Sequence, residues 1–213
     1  MIINSYKYAE QYIKIKAKLA YKFNKRMQAF LLLEVAVALT IIGILTMAVI
    51  KGQQMLHNAR LDKTIMQIES IRINIDTFRT TYGTLPGDYN GHAIEVAHPG
   101  NGDSTLDNGE EKYFFEHLIA AGLMTKKQTM PAIGGQFSVV YNTTGDLTGH
   151  WLVLAGPNNS GMFNSKDAST VKMKIDGHED NDNGIIRIRG CVDGSNTVQN
   201  TKKKTCTIYI EFP

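Results

Sequence analysis

The chain has 213 residues, 43% hydrophobic and 20% charged, a balance that excludes bulk disorder and leaves room for one sizeable domain plus an anchor. Its net charge of +3 hides an uneven distribution, because residues 1–29 carry +6 and the remainder −3. A basic head before an acidic body is an orientation signal before it is a nucleic-acid signal, since Lys and Arg flanking an apolar span stay on the cytoplasmic side.

Residues 1–29 hold Lys7, Lys14, Lys16, Lys18, Lys22, Lys25 and Arg26 against Glu10, and promise no core of their own. Phe30–Ile50 follows, 21 residues with one charge, Glu34. As a helix it is about 30 Å long, the thickness of a bilayer core. A cleaved secretory signal has a shorter apolar run and a small-residue cut site. Here the run is longer and continues into polar helix, so residues 30–50 are expected to span the membrane.

No proline occurs before Pro86. Leu61, Ile65, Ile68, Ile71, Ile75, Phe78 and Tyr82 recur at steps of three and four, the stripe of an amphipathic helix. Gln67, Glu69, Arg72, Asn74 and Asp76 fill much of its other surface. One helix is therefore expected from Phe30 to Tyr82, with residues 51–82 as its amphipathic half. Gly83 and the turn Leu85–Asp88 end it.

Residues 83–213 read as a globular domain. Gly100–Glu111 is a loop. Glu111–Met124 is a short helix with Phe115, Leu118, Ile119 and Leu123 inward. Gln136–Asn142, His150–Ala155, Gly184–Arg189 and Thr205–Phe212 are strands, with a short helix near Ser165–Lys174. The expected fold class is α+β, a long N-terminal helix packed on a small antiparallel sheet.

Cys191 and Cys206 fit no zinc spacing. They suit a disulfide if the domain is exported, worth about 3 kcal/mol, and two free thiols if it is not. Asp176, Glu179, Asp180 and Asp182, with Asn181 and Asn183, crowd one loop. Such oxygen-rich loops can hold calcium. Gly190 stands where an EF-hand needs its bidentate Glu, and a solvated turn is the more ordinary reading. Asp103, Asp107, Glu110 and Glu111 form a second, weaker calcium candidate. His92 and His98 with Asp88 and Glu95 form a still weaker metal candidate. Lys202, Lys203 and Lys204 read as a solvated loop rather than a nucleic-acid contact. No HExxH, GxSxG elbow, P-loop or dinucleotide fingerprint occurs, so neither an enzyme nor a bound cofactor is expected.

Glu34 is the oddity, an ionisable group inside an apolar span, where it costs about 2.5–3.5 kcal/mol on insertion scales. The junction Lys25-Arg26-Met27-Gln28-Ala29-Phe30-Leu31-Leu32-Leu33-Glu34 resembles the cleavage and methylation motif of prepilins. Later segments, among them Tyr82–Tyr89, Glu116–Met124, Trp151–Pro157 and Lys174–Cys191, also look like type IV pilin-like proteins. The resemblance implies a type IV pilin-like fold and a membrane-embedded prepilin peptidase. That enzyme would cut between Ala29 and Phe30 and methylate the Phe30 amine. It also implies that Glu34 docks the subunit against the amine of a neighbour. Ala29 stands where the family usually has Gly. Lys51 and Gly52 stand near where many pilins carry a Pro.

The implied function is a structural subunit, a pilin or minor pilin of a type IV pilus-like fibre, or a pseudopilin of a type II secretion system. The implied partners are the peptidase, other such subunits and the inner membrane. The chain would cross that membrane once, with its leader cytoplasmic and its C-terminal domain periplasmic. The reading of another class is a signal-anchored periplasmic binding domain that never polymerises.

Overall fold

The computed structural model describes residues 3–157, 160–178, 184–191 and 205–212. It divides into two compact units, Met1–Leu56 and His57–Pro213.

Helix α1 spans Ile3–Tyr82, so it begins well before the expected Phe30. The reason is local. Residues 1–29 contain no Gly or Pro and are rich in Lys, Ala and other good helix formers, so nothing interrupts the helix there. Its end falls where the turn residues place it. Gly83 takes φ 79° and donates its N–H to the Arg79 carbonyl at 2.9 Å.

In the first unit the apolar run is exposed along its length, Leu39 and Ile44 for example at 63% and 67%. In the second unit the expected stripe is the helix's contribution to the core. Ile68, Ile71, Ile75 and Phe78 are at most 1% exposed, Leu61 is buried, and Ile65 and Tyr82 pack at its margin.

Four strands form one antiparallel sheet in the order β1-β2-β4-β3: β1 Gln136–Asn142, β2 Gly149–Ala155, β3 Ile186–Arg189 and β4 Thr207–Phe212. The register puts apolar residues in rows. Val139 lies opposite Leu152, which faces Ile210, which faces Ile186. Phe137, Leu154, Ile208 and Ile188 form the next row. These eight side chains share one core with the α1 stripe. The architecture is thus α+β, as expected.

Helix α2 is shorter than its pattern predicts and is turned. A 3-10 turn over Glu110–Tyr113 precedes it, and the α-helix itself is Phe114–Ala120. Gly122, at φ 71°, stops it, with the Leu123 N–H on the Leu118 carbonyl at 3.0 Å. Phe114, His117 and Leu118 face inward. Phe115 and Leu123 sit at the margin of the core, and Ile119 is 37% exposed. A helix of two turns cannot present four inward residues over fourteen positions, and a buried histidine takes one of the places.

Helix α3, Ser165–Asp176, is capped by Asn164, whose side chain accepts the Asp167 N–H at 2.8 Å, and ends at Gly177. The expected strand Gly184–Arg189 shortens to Ile186 because the Ile185 and Ile186 N–H groups go to the Asp176 carboxylate, both at 3.1 Å. Cys191 and Cys206 form a disulfide with Cα atoms 4.8 Å apart, a separation natural to the bond. Cys206 is fully buried and pairs with Phe163 in an isolated bridge. Gly161 is needed beside it, since a Cβ there would meet the Thr205 carbonyl oxygen at 2.1 Å.

Candidate functional site

The first candidate site lies at the head of the apolar run. Ala29 and Phe30 stand within the helical backbone of α1. Glu34, four residues beyond Phe30, is exposed among exposed apolar neighbours. Residues four apart on a helix share a face, and helical side chains lean toward the N-terminus. Glu34 therefore shares the face of position 30. Among the described residues this is the one helix long and apolar enough to cross a membrane.

The second group of functional side chains is buried in the domain. Asp88 is fully buried at the turn after α1. Its Oδ1 accepts the Gly102 and Asp103 N–H groups at 2.6 and 3.1 Å, and its Oδ2 accepts that of Ser104 at 2.8 Å. One carboxylate thus organises the loop over residues 100–104. Gly100 passes so close that a Cβ would lie 2.4 Å from the Asp88 Cα.

His117, also fully buried, accepts the Gly87 N–H on Nδ1 at 2.9 Å and donates Nε2–H to the His98 carbonyl at 2.8 Å. Those partners require the neutral imidazole. Burial pushes its pKa below the usual value, against the opposing pull of the His98 carbonyl, Glu116 and Asp88.

Thr64 and Gln67 hold another segment. The Gln67 amide donates to the Met130 carbonyl at 3.0 Å and accepts the Ala132 N–H at 2.8 Å. The Thr64 hydroxyl accepts the Ile133 N–H at 3.1 Å. Gln67, expected to fill a solvated face, is therefore an anchor for residues 130–133.

Several of the acidic candidates have protein partners of their own, and the Asn101 side-chain amide lies between Asp103 and Asp107 at 2.9 and 3.5 Å. Asp176 is engaged by the protein: Lys172 Nζ donates to its Oδ2 at 2.7 Å, and the Ile185 and Ile186 N–H groups donate to its Oδ1 and Oδ2. Glu179, Asp180 and Asp182, with the neighbouring Asn181 and Asn183, lie outside the described residues.

Asp103 accepts the Thr105 hydroxyl and N–H at 2.6 and 2.9 Å, and the hydroxyl bond leads in holding its carboxyl below the usual range. Asp107 takes the Asn108 amide at 2.7 Å. Glu110 accepts the Asn101 N–H at 2.8 Å on one oxygen, and burial raises its pKa. No group of three or more His, Cys, Asp or Glu residues able to hold a metal ion occurs among the described residues.

Two members of the histidine candidate have other partners. Asp88 is spent on backbone amides. His98 stacks on Tyr113 at 4.0 Å and pairs with Glu116 at 3.1 Å. Lys202, Lys203 and Lys204 lie outside the described residues.

Asp88, His117, Thr64 and Lys172 were not identifiable as buried from the sequence. The only local signal was the Leu-Pro-Gly-Asp turn, which marks a bend but not the loop that its Asp gathers. Comparison with family models, curated proteins and solved structures finds no match to this chain.

Proposed function

We propose that this chain is a structural, pilin-like subunit made as a membrane-anchored precursor. A prepilin peptidase cuts between Ala29 and Phe30 and methylates the new Phe30 amine. The apolar run stays in the inner membrane with the leader cytoplasmic and the globular domain periplasmic. The mature subunit then enters a type IV pilus or a type II secretion pseudopilus. It is a substrate of the peptidase and performs no catalysis itself.

The observation that carries this reading is Glu34, the one charge in Phe30–Ile50, placed one helical turn past the Ala29–Phe30 junction. A lone carboxylate facing lipid is costly, and so is a lone ammonium. Each relieves the other when the amine of one subunit meets the Glu34 of the next, which makes the pair a device for register more than for bulk stability. The basic leader and the α+β domain behind the span agree with this reading.

The test is mass analysis of the mature N-terminus in cells with and without the peptidase. A chain beginning at N-methylated Phe30 only when the enzyme is present is the expected result. A functional chain that keeps residues 1–29 overturns the proposal and leaves a tethered periplasmic binding domain. Glu34→Leu should insert as well as the native chain or better, yet fail to enter fibres.

A further inference from the structure

The sheet has a second buried face that the helical core does not explain. Leu152 and Leu154 of β2 belong to the core shared with α1, whereas Trp151 and Val153, pointing the other way, do not. Even so, Trp151 is 2% exposed and Val153 fully buried. Tyr209 and Arg187 lie on the same face in the row of Val153, and the Arg187 guanidinium sits 6.0 Å from the Trp151 ring centroid.

The β1–β2 connection crosses this face. The pair Asn142 and Gly149 closes the hairpin at one end of β2. Asp146, in the loop between them, forms an ion pair with Arg189. Arg189 pairs with Thr207, one residue beyond the Ile208–Leu154 pair and so at the other end of the sheet. For Asp146 to meet Arg189, residues 143–148 must fold back over the face that carries Trp151. The Trp151 indole N–H reaches the Thr148 carbonyl at 3.3 Å on the way.

This crossing segment is weakly held. Thr143, Thr144, Gly145, Asp146 and Thr148 are exposed, and Leu147 alone is half-buried. Gly145, at φ 93°, permits its bend. An ion pair with side chains 34% and 71% exposed is a surface pair and is screened by salt. A segment with few buried apolar contacts opens at low free-energy cost.

We propose that residues 143–148 form a strap, latched by Asp146 on Arg189, that covers and uncovers the outer sheet face bearing Trp151 and Val153 in response to ionic strength. A two-residue turn would have joined the strands, and the longer connection lets Trp151 and Val153 be covered by a segment whose far contact is salt-sensitive. This inference is independent of the assembly function proposed above.

Trp151 is the only tryptophan, so its emission and its quenching by acrylamide read the strap directly. The experiment uses the full chain in detergent at ~0.01 M and ~1 M salt, where the Debye length falls from ~30 Å to ~3 Å. Native protein should show red-shifted, more quenchable emission at high salt. Asp146→Asn should show it at both. The open-to-closed ratio should rise by up to about fivefold, the equivalent of ~1 kcal/mol. Asp146→Arg with Arg189→Asp should restore closure at low salt, with unchanged far-ultraviolet circular dichroism throughout. Equal quenching of native and Asp146→Asn protein at both salts overturns the strap. So does an open charge-swapped variant.

Discussion

Lys172 gives the sharpest test of how the domain is held together. Its ammonium is fully buried, 2.7 Å from the Asp176 carboxylate, whose side chain is 2% exposed, and 2.9 Å from the Ile186 carbonyl. Lys172→Met keeps most of the packed stem and removes the charge. Breaking a buried pair from one side costs about 3–5 kcal/mol, because the other charge is left uncompensated. Asp176 keeps the Ile185 and Ile186 amides, so the lower end, about 3 kcal/mol, is expected. For a unit the size of His57–Pro213, each kcal/mol moves Tm by about 2–4 °C, which gives a fall of about 6–12 °C. Thermal unfolding of the detergent-solubilised chain, followed by Trp151 emission, measures it. Adding Asp176→Asn to Lys172→Met removes the stranded charge, keeps an acceptor for one of the Ile185 and Ile186 amides, and should recover part of the loss. A Lys172→Met Tm within about 2 °C of the native value would refute the reasoning, and a cation on the Asp176 loop would then be the first alternative to test.

Three further outcomes are expected. His117 has a lowered pKa in the fold, so below its ordinary value of 6.5 the unfolded chain binds a proton that the folded one refuses. Stability should therefore be full above that pH and fall as the pH drops through 6.5 toward the folded value, by up to about 1.4 kcal/mol per unit. Denaturant titrations at several pH values measure this, and a flat profile below neutrality would contradict it. Cys206→Ser should increase protease cleavage of the globular domain under non-reducing conditions, by removing a constraint worth about 2–4 kcal/mol. With Asp176 already paired with Lys172 and two backbone amides, replacing EDTA with calcium should leave Tm unchanged. A rise that the Asp176→Asn variant lacks would instead assign calcium to the Asp176 loop.

The layers of the fold were legible because they rest on periodicity. The stripe from Leu61 to Tyr82 and the alternation in the strands each encode a face, and a face is all that two packed layers require. The end of α1 was legible from Gly83 and the turn after it. The start of α1 was not, since a region without breakers stays helical whether or not it has a core to pack on. The turned α2 was not legible either, because over two turns one buried histidine outweighs the hydrophobic pattern. At the head of the apolar run, Ala29, Phe30 and Glu34 stand out in the sequence as a linear motif with one charge, and the proposed function rests on that motif. The calcium reading of the Asp176 loop rested on composition, and composition does not reveal that Asp176 also faces Lys172.

What periodicity cannot carry, the buried polar groups supply. Apolar contacts are non-directional, so the stripe on α1 fixes that a sheet covers it but not how the connecting segments run. Each buried polar side chain fixes one such segment. Asp88 gathers residues 102–104, His117 joins Gly87 to His98, Thr64 takes Ile133, and Lys172 ties α3 to the Ile186 carbonyl. An unpaired buried donor or acceptor costs about 1–3 kcal/mol, so any other course for these loops leaves a group stranded and is disfavoured by that amount. Glu34 follows the same rule at the membrane. A polar group where water is absent specifies its partner by being expensive alone, and within Phe30–Ile50 there is no second charge to serve as that partner. The assembling subunit proposed above supplies a partner from beyond the apolar run, the amine of a neighbouring subunit.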